Sequence, residues 1–198
     1  MPLAGGLALP RVVSLVLFEG FEELDVFGPV EVFGLLPDEF QVRLVAQVAG
    51  IVTSAHGTKV VADFGRDDAP APDIVLVPGG AGTRVLAVDE PFLKWLGQWA
   101  ASAKVVASVC TGSALLAAAG LLDGYRATSN TRALEWATSF GPKTQWVPDA
   151  RWVTDGNRWT SAGISAGIDM TLALVASLHS QETAKEIASR MEYDWATH

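Results

Sequence analysis

The chain has one cysteine, Cys110, in the stretch VVASVCTG (105–112), where a β-branched run gives way to small residues. Two roles suit a thiol at such a junction. It is either a nucleophile displayed on a strand-to-helix turn or a small apolar residue filling a core, the ordinary fate of a free cysteine. A tight turn would project the side chain from the sheet edge, and the N–H groups opening the next helix would favour thiolate. Ala107, Ser108, Gly112 and Ser113 supply the small neighbours such crowding requires. Asp25, closing FEELD after the first strand pattern, is either an acid/base partner for the thiol or a helix N-cap. As a partner it would titrate together with the cysteine, since each negative charge disfavours the other. Gly79 and Gly80, in Pro-Gly-Gly, offer unobstructed amides for an oxyanion or simply turn the chain.

Other candidates read more plainly. Ser161 and Ser165, in SAGISAGID, would cap a helix or touch a ligand, and Asp169 reads as structural. His56, His179 and His198 are scattered without metal-ligand spacing, so neither a metal site nor a Cys-His protease is supported. The seven tryptophans read as packing.

Apolar runs at RVVSLVLF (11–18), QVRLVAQV (41–48), DIVLVPGG (73–80) and KVVASV (104–109) predict strands buried on both faces. Helical patterns follow several of them: 24–36, starting near Gly28-Pro29; 89–103; and 111–122, closing near Gly120. IVTSAHGTKVVADF predicts a hairpin turning at Gly57, and DGN (155–157) a second, before two final helices. Alternating strands and helices specify an α/β sandwich around a mostly parallel sheet. Ligands then bind outside the strands' carboxyl ends, which directs attention to the segments after Phe18, Pro78 and Val109.

The 198 residues are 49% hydrophobic and 18% charged, which predicts one globular domain over 1–198, with 1–10 a loose leader. A net charge of −8 disfavours nucleic acid and anionic membranes as partners. A single cysteine, no signal-peptide pattern and apolar stretches short of about 20 residues point to a reducing, cytoplasmic setting.

The segments GFEELDVFGPVEVF (20–33), DIVLVPGGAGT (73–83), SVCTGSALLAAAGLLDGYRATS (108–129), DGNRWTSAGISAGIDMTLAL (155–174) and the late MEYD resemble the DJ-1/PfpI superfamily, and within it the isocyanide hydratases. The resemblance extends over nearly the whole chain. It implies a flavodoxin-like three-layer α/β sandwich with a nucleophile elbow, a homodimer, a small-molecule substrate and no metal or organic cofactor. It assigns Cys110 as nucleophile, Asp25 as its acidic partner, Thr111 as the hydratase-type residue after the nucleophile, and Gly80, with Gly79, as the oxyanion glycines. One departure stands out: relatives commonly read A-T-T-H-W after the elbow helix, whereas this chain has Asn130 at the histidine position. A base at that position is therefore unavailable, while a Cys/Asp mechanism survives. The expected activity is hydration of isocyanides to N-substituted formamides. The alternative is a ligand- or redox-sensing domain similar to the N-terminal domains of AraC-type regulators.

Overall fold

The computed structural model describes residues 9–197, so residues 1–8 of the expected leader and His198 lie outside the described residues. Eleven strands alternate with seven helices among these residues. The chain runs β1 (Arg11–Val16), α1 (Glu23–Gly34), β2 (Phe40–Ala46), β3 (Gly50–Thr53), β4 (Lys59–Ala62), β5 (Phe64–Gly65) and β6 (Ile74–Val77). It continues through α2 (Thr83–Leu86), α3 (Glu90–Ala100), β7 (Val105–Val109), α4 (Gly112–Ala118) and β8 (Arg126–Ala127). After a 3-10 turn (Thr131–Ala133) come α5 (Leu134–Thr138), β9 (Gln145–Trp146), β10 (Trp152–Asp155), β11 (Arg158–Ser161), α6 (Ala166–Leu178) and α7 (Gln181–Arg190).

Seven strands form the central sheet in the order β10-β11-β7-β6-β1-β2-β5, parallel except for β10. The inner strands are β-branched runs whose side chains are buried on both faces, as a sheet covered by helices requires. The expected hairpins form as β3–β4 and β10–β11. From β1 the chain steps outward to β2, and then returns to build β6, β7 and β11 on the opposite side. This reversal lies between β1 and β6, and it opens a crevice at their carboxyl ends.

Two local features depart from expectation. Helix α1 starts at Glu23 rather than near Gly28, so Pro29 sits inside it. The ring leaves the Asp25 carbonyl without its usual helical donor, but burial of Val26, Val32 and Phe33 holds the helix in place. Helix α2, a single turn, is too short to leave a periodic signal. No helix among the described residues is long and apolar enough to cross a membrane.

Candidate active site

The turn between β7 and α4 places Cys110 at a left-handed φ of 57°, a conformation few non-glycine residues adopt. Its N–H donates to the Ser161 carbonyl at 3.1 Å, and its own carbonyl accepts from Ser113 Oγ at 3.2 Å and Ser129 Oγ at 3.1 Å. Gly112 lets the turn close, because any Cβ there would strike the Val77 carbonyl oxygen. Gly163, just beyond β11, presses on the sulfur from the other side: a Cβ would lie 2.8 Å from Sγ. These contacts over-determine the strained turn and fix where the thiol points.

The Asn130 Nδ2–H donates to Sγ at 3.2 Å, and the Thr111 N–H and hydroxyl lie close without aligned bonds to it. All three favour an anionic sulfur. Burial and the adjacent Asp25 charge outweigh them and push the thiol up to about 12. The expectation of an elbow that favours thiolate is thus corrected. Cys110 is only 7% exposed, and the helix behind it has seven residues.

Asp25 does not cap α1. Glu22 occupies the N-cap position, and Asp25 lies within the first turn, pointing across to the Gly-Gly loop. Its carboxyl is fully buried. Oδ2 accepts from Gly79 N–H at 2.8 Å, while Oδ1 has no hydrogen-bond partner. Burial raises Asp25 to about 7, with the Glu22 charge adding to the shift. The Gly79 N–H and the neighbouring thiol oppose it; that thiol lies close without making a well-aligned bond to Oδ1. A carboxyl poised there can take and return a proton near neutral pH.

The two glycine amides expected to receive an oxyanion are both engaged. Gly79 N–H serves Asp25, and Gly80 N–H donates to Thr111 Oγ1 at 3.2 Å. The loop therefore orients the acid and the threonine rather than presenting open donors. Thr111 is buried beside Thr83, whose hydroxyl lies 3.1 Å from Thr111 Oγ1.

Sequence reasoning treated Asn130 only as a lost histidine; its amide is a donor to the sulfur, and its Oδ1 caps the following 3-10 turn by accepting from Arg132 N–H at 3.0 Å. Ser165 stands at the N-cap of α6 without a side-chain cap bond, and Ser161 Oγ is buried without a partner. His56 lies near Glu22 and Glu23 at 3.8 and 3.9 Å, and His179 ends α6. Among the described residues, no group of three His, Cys, Asp or Glu side chains could hold a metal ion. A half-open apolar cleft of about 370 Å³ lies between the β1 loop, β3 and α2, lined by Phe18, Val48, Ile51 and Val85 among others; it does not include Cys110.

Comparison with known proteins places these features in context. The sequence profile of the DJ-1/PfpI family matches residues 11–177. An isonitrile hydratase from Pseudomonas putida is 40% identical over 181 residues, covering 91% of this chain and 78% of the relative. The HTH-type transcriptional regulator GbdR of Pseudomonas aeruginosa is 34% identical over 143 residues, or 72% of this chain but 38% of the regulator. The crystal structure of a ThiJ/PfpI family protein from Pseudomonas syringae superposes with a TM-score of 0.87 at 33% identity, covering 99% of this chain and 83% of that one.

Proposed function

The chain belongs to the DJ-1/PfpI family, and from that premise we propose that it hydrates isocyanides to N-substituted formamides, with Cys110 as nucleophile and Asp25 as the proton carrier. The observation that carries this reading is the buried Asp25 carboxyl, raised to about 7 beside the thiol and left with one unpartnered oxygen. Isocyanide hydration needs a group that removes one proton and delivers it to carbon, and Asp25 is the ionisable side chain whose charge acts on the sulfur. The 40% identity to an isonitrile hydratase supports the choice of substrate.

Asp25 carboxylate takes the thiol proton as sulfur attacks the terminal isocyanide carbon. The C–S bond forms, and the electron pair left on that carbon receives the same proton from Asp25, giving a thioimidate, R–N=CH–S–Cys. Water then adds to this carbon, nitrogen gains a proton, and the C–S bond breaks. The thiolate leaves and recovers a proton from the added water. The sum is R–NC plus water giving R–NH–CHO. Asn130 and the Thr111 amide stabilise the sulfur while it carries charge, and the Thr111 hydroxyl holds the incoming water. None of these steps needs the histidine that this chain replaces with Asn130.

The test is formamide production from para-nitrophenyl isocyanide by the wild type, Cys110→Ala and Asp25→Asn. Turnover by the wild type, lost in both variants, is expected. A wild type that leaves a panel of aliphatic and aromatic isocyanides unchanged overturns the assignment.

The enclosure of the thiol and the match to a regulator favour a second reading, a ligand sensor. The thiol is nearly enclosed and strongly disfavours ionisation, and 143 residues match a transcriptional regulator at 34% identity. Tight metabolite binding that is equal in wild type and Cys110→Ala, without turnover in either, would support the sensor.

A further inference from the structure

Thr83 stands behind Thr111 in a position the proposed reaction has not used. It is fully buried at the start of α2. Its N–H donates to the Gly80 carbonyl at 3.2 Å, and its hydroxyl has two acceptors, that same carbonyl at 2.7 Å and Thr111 Oγ1 at 3.1 Å. The Thr111 hydroxyl in turn accepts Gly80 N–H and lies beside the Cys110 sulfur without an aligned hydrogen bond to it.

Counting protons gives two self-consistent arrangements, because each hydroxyl has one to donate. In the first, Thr83 donates to the Gly80 carbonyl and Thr111 donates to Thr83, leaving no hydroxyl proton on the sulfur. In the second, Thr83 donates to Thr111, which frees the Thr111 proton to face the sulfur. The Gly80 carbonyl loses little in the exchange, since the Thr83 N–H still serves it. A chain of two hydroxyls ending on an anion is strengthened along its length, so charge on sulfur favours the second arrangement.

We propose that Thr83 is a positioning residue that turns Thr111 into a hydrogen-bond donor when negative charge develops on the Cys110 sulfur. The proposal rests on Thr111 facing that sulfur. Its test needs no isocyanide, so its failure is distinguishable from failure of the hydratase reading. Cys110 is the only cysteine, and its alkylation by iodoacetamide reports on the thiolate directly.

The experiment measures the alkylation rate from pH 7 to 11 for the wild type, Thr83→Val, Thr83→Ser, Thr111→Val and the double variant Thr83→Val/Thr111→Val. Loss of one hydrogen bond to the anion predicts a rate at pH 9 lower by about 3- to 10-fold in Thr83→Val, the same factor holding across the series because all of it lies below the thiol's midpoint. Thr83→Ser should recover most of the rate. The double variant should react no more than about twofold slower than Thr111→Val alone, because Thr83 acts only through Thr111. A Thr83→Val profile like the wild type's overturns the proposal, as do fully multiplicative losses in the double variant. If Thr83→Val fails to fold, the same comparison is made with Thr83→Ala; a rate in Thr83→Ser lowered as far as in Thr111→Val then also counts against it.

Discussion

Asp25 and Asp169 are both fully buried aspartates, and they sit on α1 and α6, two helices packed against each other where Gly28 meets Ile168. Their surroundings differ completely. Both oxygens of Asp169 are bonded: Oδ2 accepts from Arg151 Nε at 2.7 Å, from Arg151 Nη2 and from Tyr193 OH at 3.1 Å, and Oδ1 accepts from Ala196 N–H at 2.9 Å. Its backbone carbonyl takes the Trp195 indole N–H at 3.2 Å. Asp25 has one amide and an empty oxygen. A carboxylate with both oxygens bonded and a guanidinium beside it fastens chain segments together. One left short of partners is costly to ionise, and that cost is what brings it into the neutral range. Burial alone therefore does not tell the two apart; unmet hydrogen-bonding capacity does, and it is what suits Asp25 to the proton transfer proposed for it.

The largest test of this contrast is catalytic. Asp25→Asn should lower isocyanide hydration by at least about 100-fold, the usual scale for losing a positioned acid/base. Asp169→Asn should leave the pH dependence of the remaining activity unchanged. In the wild type, Asp25 must be ionised to receive the thiol proton. The value of kcat/KM should therefore rise with pH through a midpoint near 7 and stay level until the thiol itself ionises near 12. A profile that falls between pH 7 and 9 would show that Asp25 does not begin the cycle as a base.

The next effect is on stability and runs the other way. Asp169→Asn removes the charge that holds Arg151 and loosens the Tyr193–Ala196 segment. Because the Arg151 side chain is 36% exposed and water relieves part of the loss, the cost should be about 3 kcal/mol. That is a fall in Tm of roughly 6–12 °C, measured by thermal melt. Unchanged melting would mean the cluster is not a clamp.

How much of this could be read from the sequence follows from the range over which each signal acts. The inner strands and the Cys110 elbow are legible because β-branched runs and small residues are local patterns, and the DJ-1/PfpI motifs fix their order. Asp25 is visible as a candidate, but not its state, which depends on burial and on the Gly79 amide 54 positions away. Thr83 leaves no signal, lying on a single helical turn. The roles of Asp169 and Asn130 depend on partners 18 to 27 residues distant, brought close only by the folded sheet. For the same reason the thiol's direction of shift could not be read: the elbow pattern speaks for thiolate, whereas desolvation belongs to the finished fold.

Asp25→Asn supplies a stability prediction of its own, with a sharper sign. The folded state holds the Asp25 proton up to about 7, above the 3.8 of an unperturbed carboxyl, so it binds more protons than the unfolded state between those values. Wild-type stability from this group is fully present below about pH 4 and is lost as pH rises through 7. Asparagine removes the dependence. The stability of Asp25→Asn relative to wild type should therefore improve by roughly 4 kcal/mol from pH 4 to pH 8 and then level off, in urea unfolding at a series of pH values. A flat difference between the two proteins across that interval would mean that Asp25 is ionised throughout it.

The smallest effect concerns the backbone beneath the two sites. Cys110 carries a φ of 57°, where a Cβ costs roughly 1 kcal/mol or more, whereas α6 is ordinary right-handed helix. Replacing alanine by glycine should therefore have opposite signs in the two regions. Cys110→Gly should be more stable than Cys110→Ala by about 0.5–1 kcal/mol, because glycine relieves the left-handed turn. Ala173→Gly, in the middle of α6, should lose about 1 kcal/mol. Both differences are read from chemical unfolding midpoints. Were Cys110→Gly the less stable of its pair, the elbow would be relaxed, and its strain would have no part in holding the thiol against Asp25.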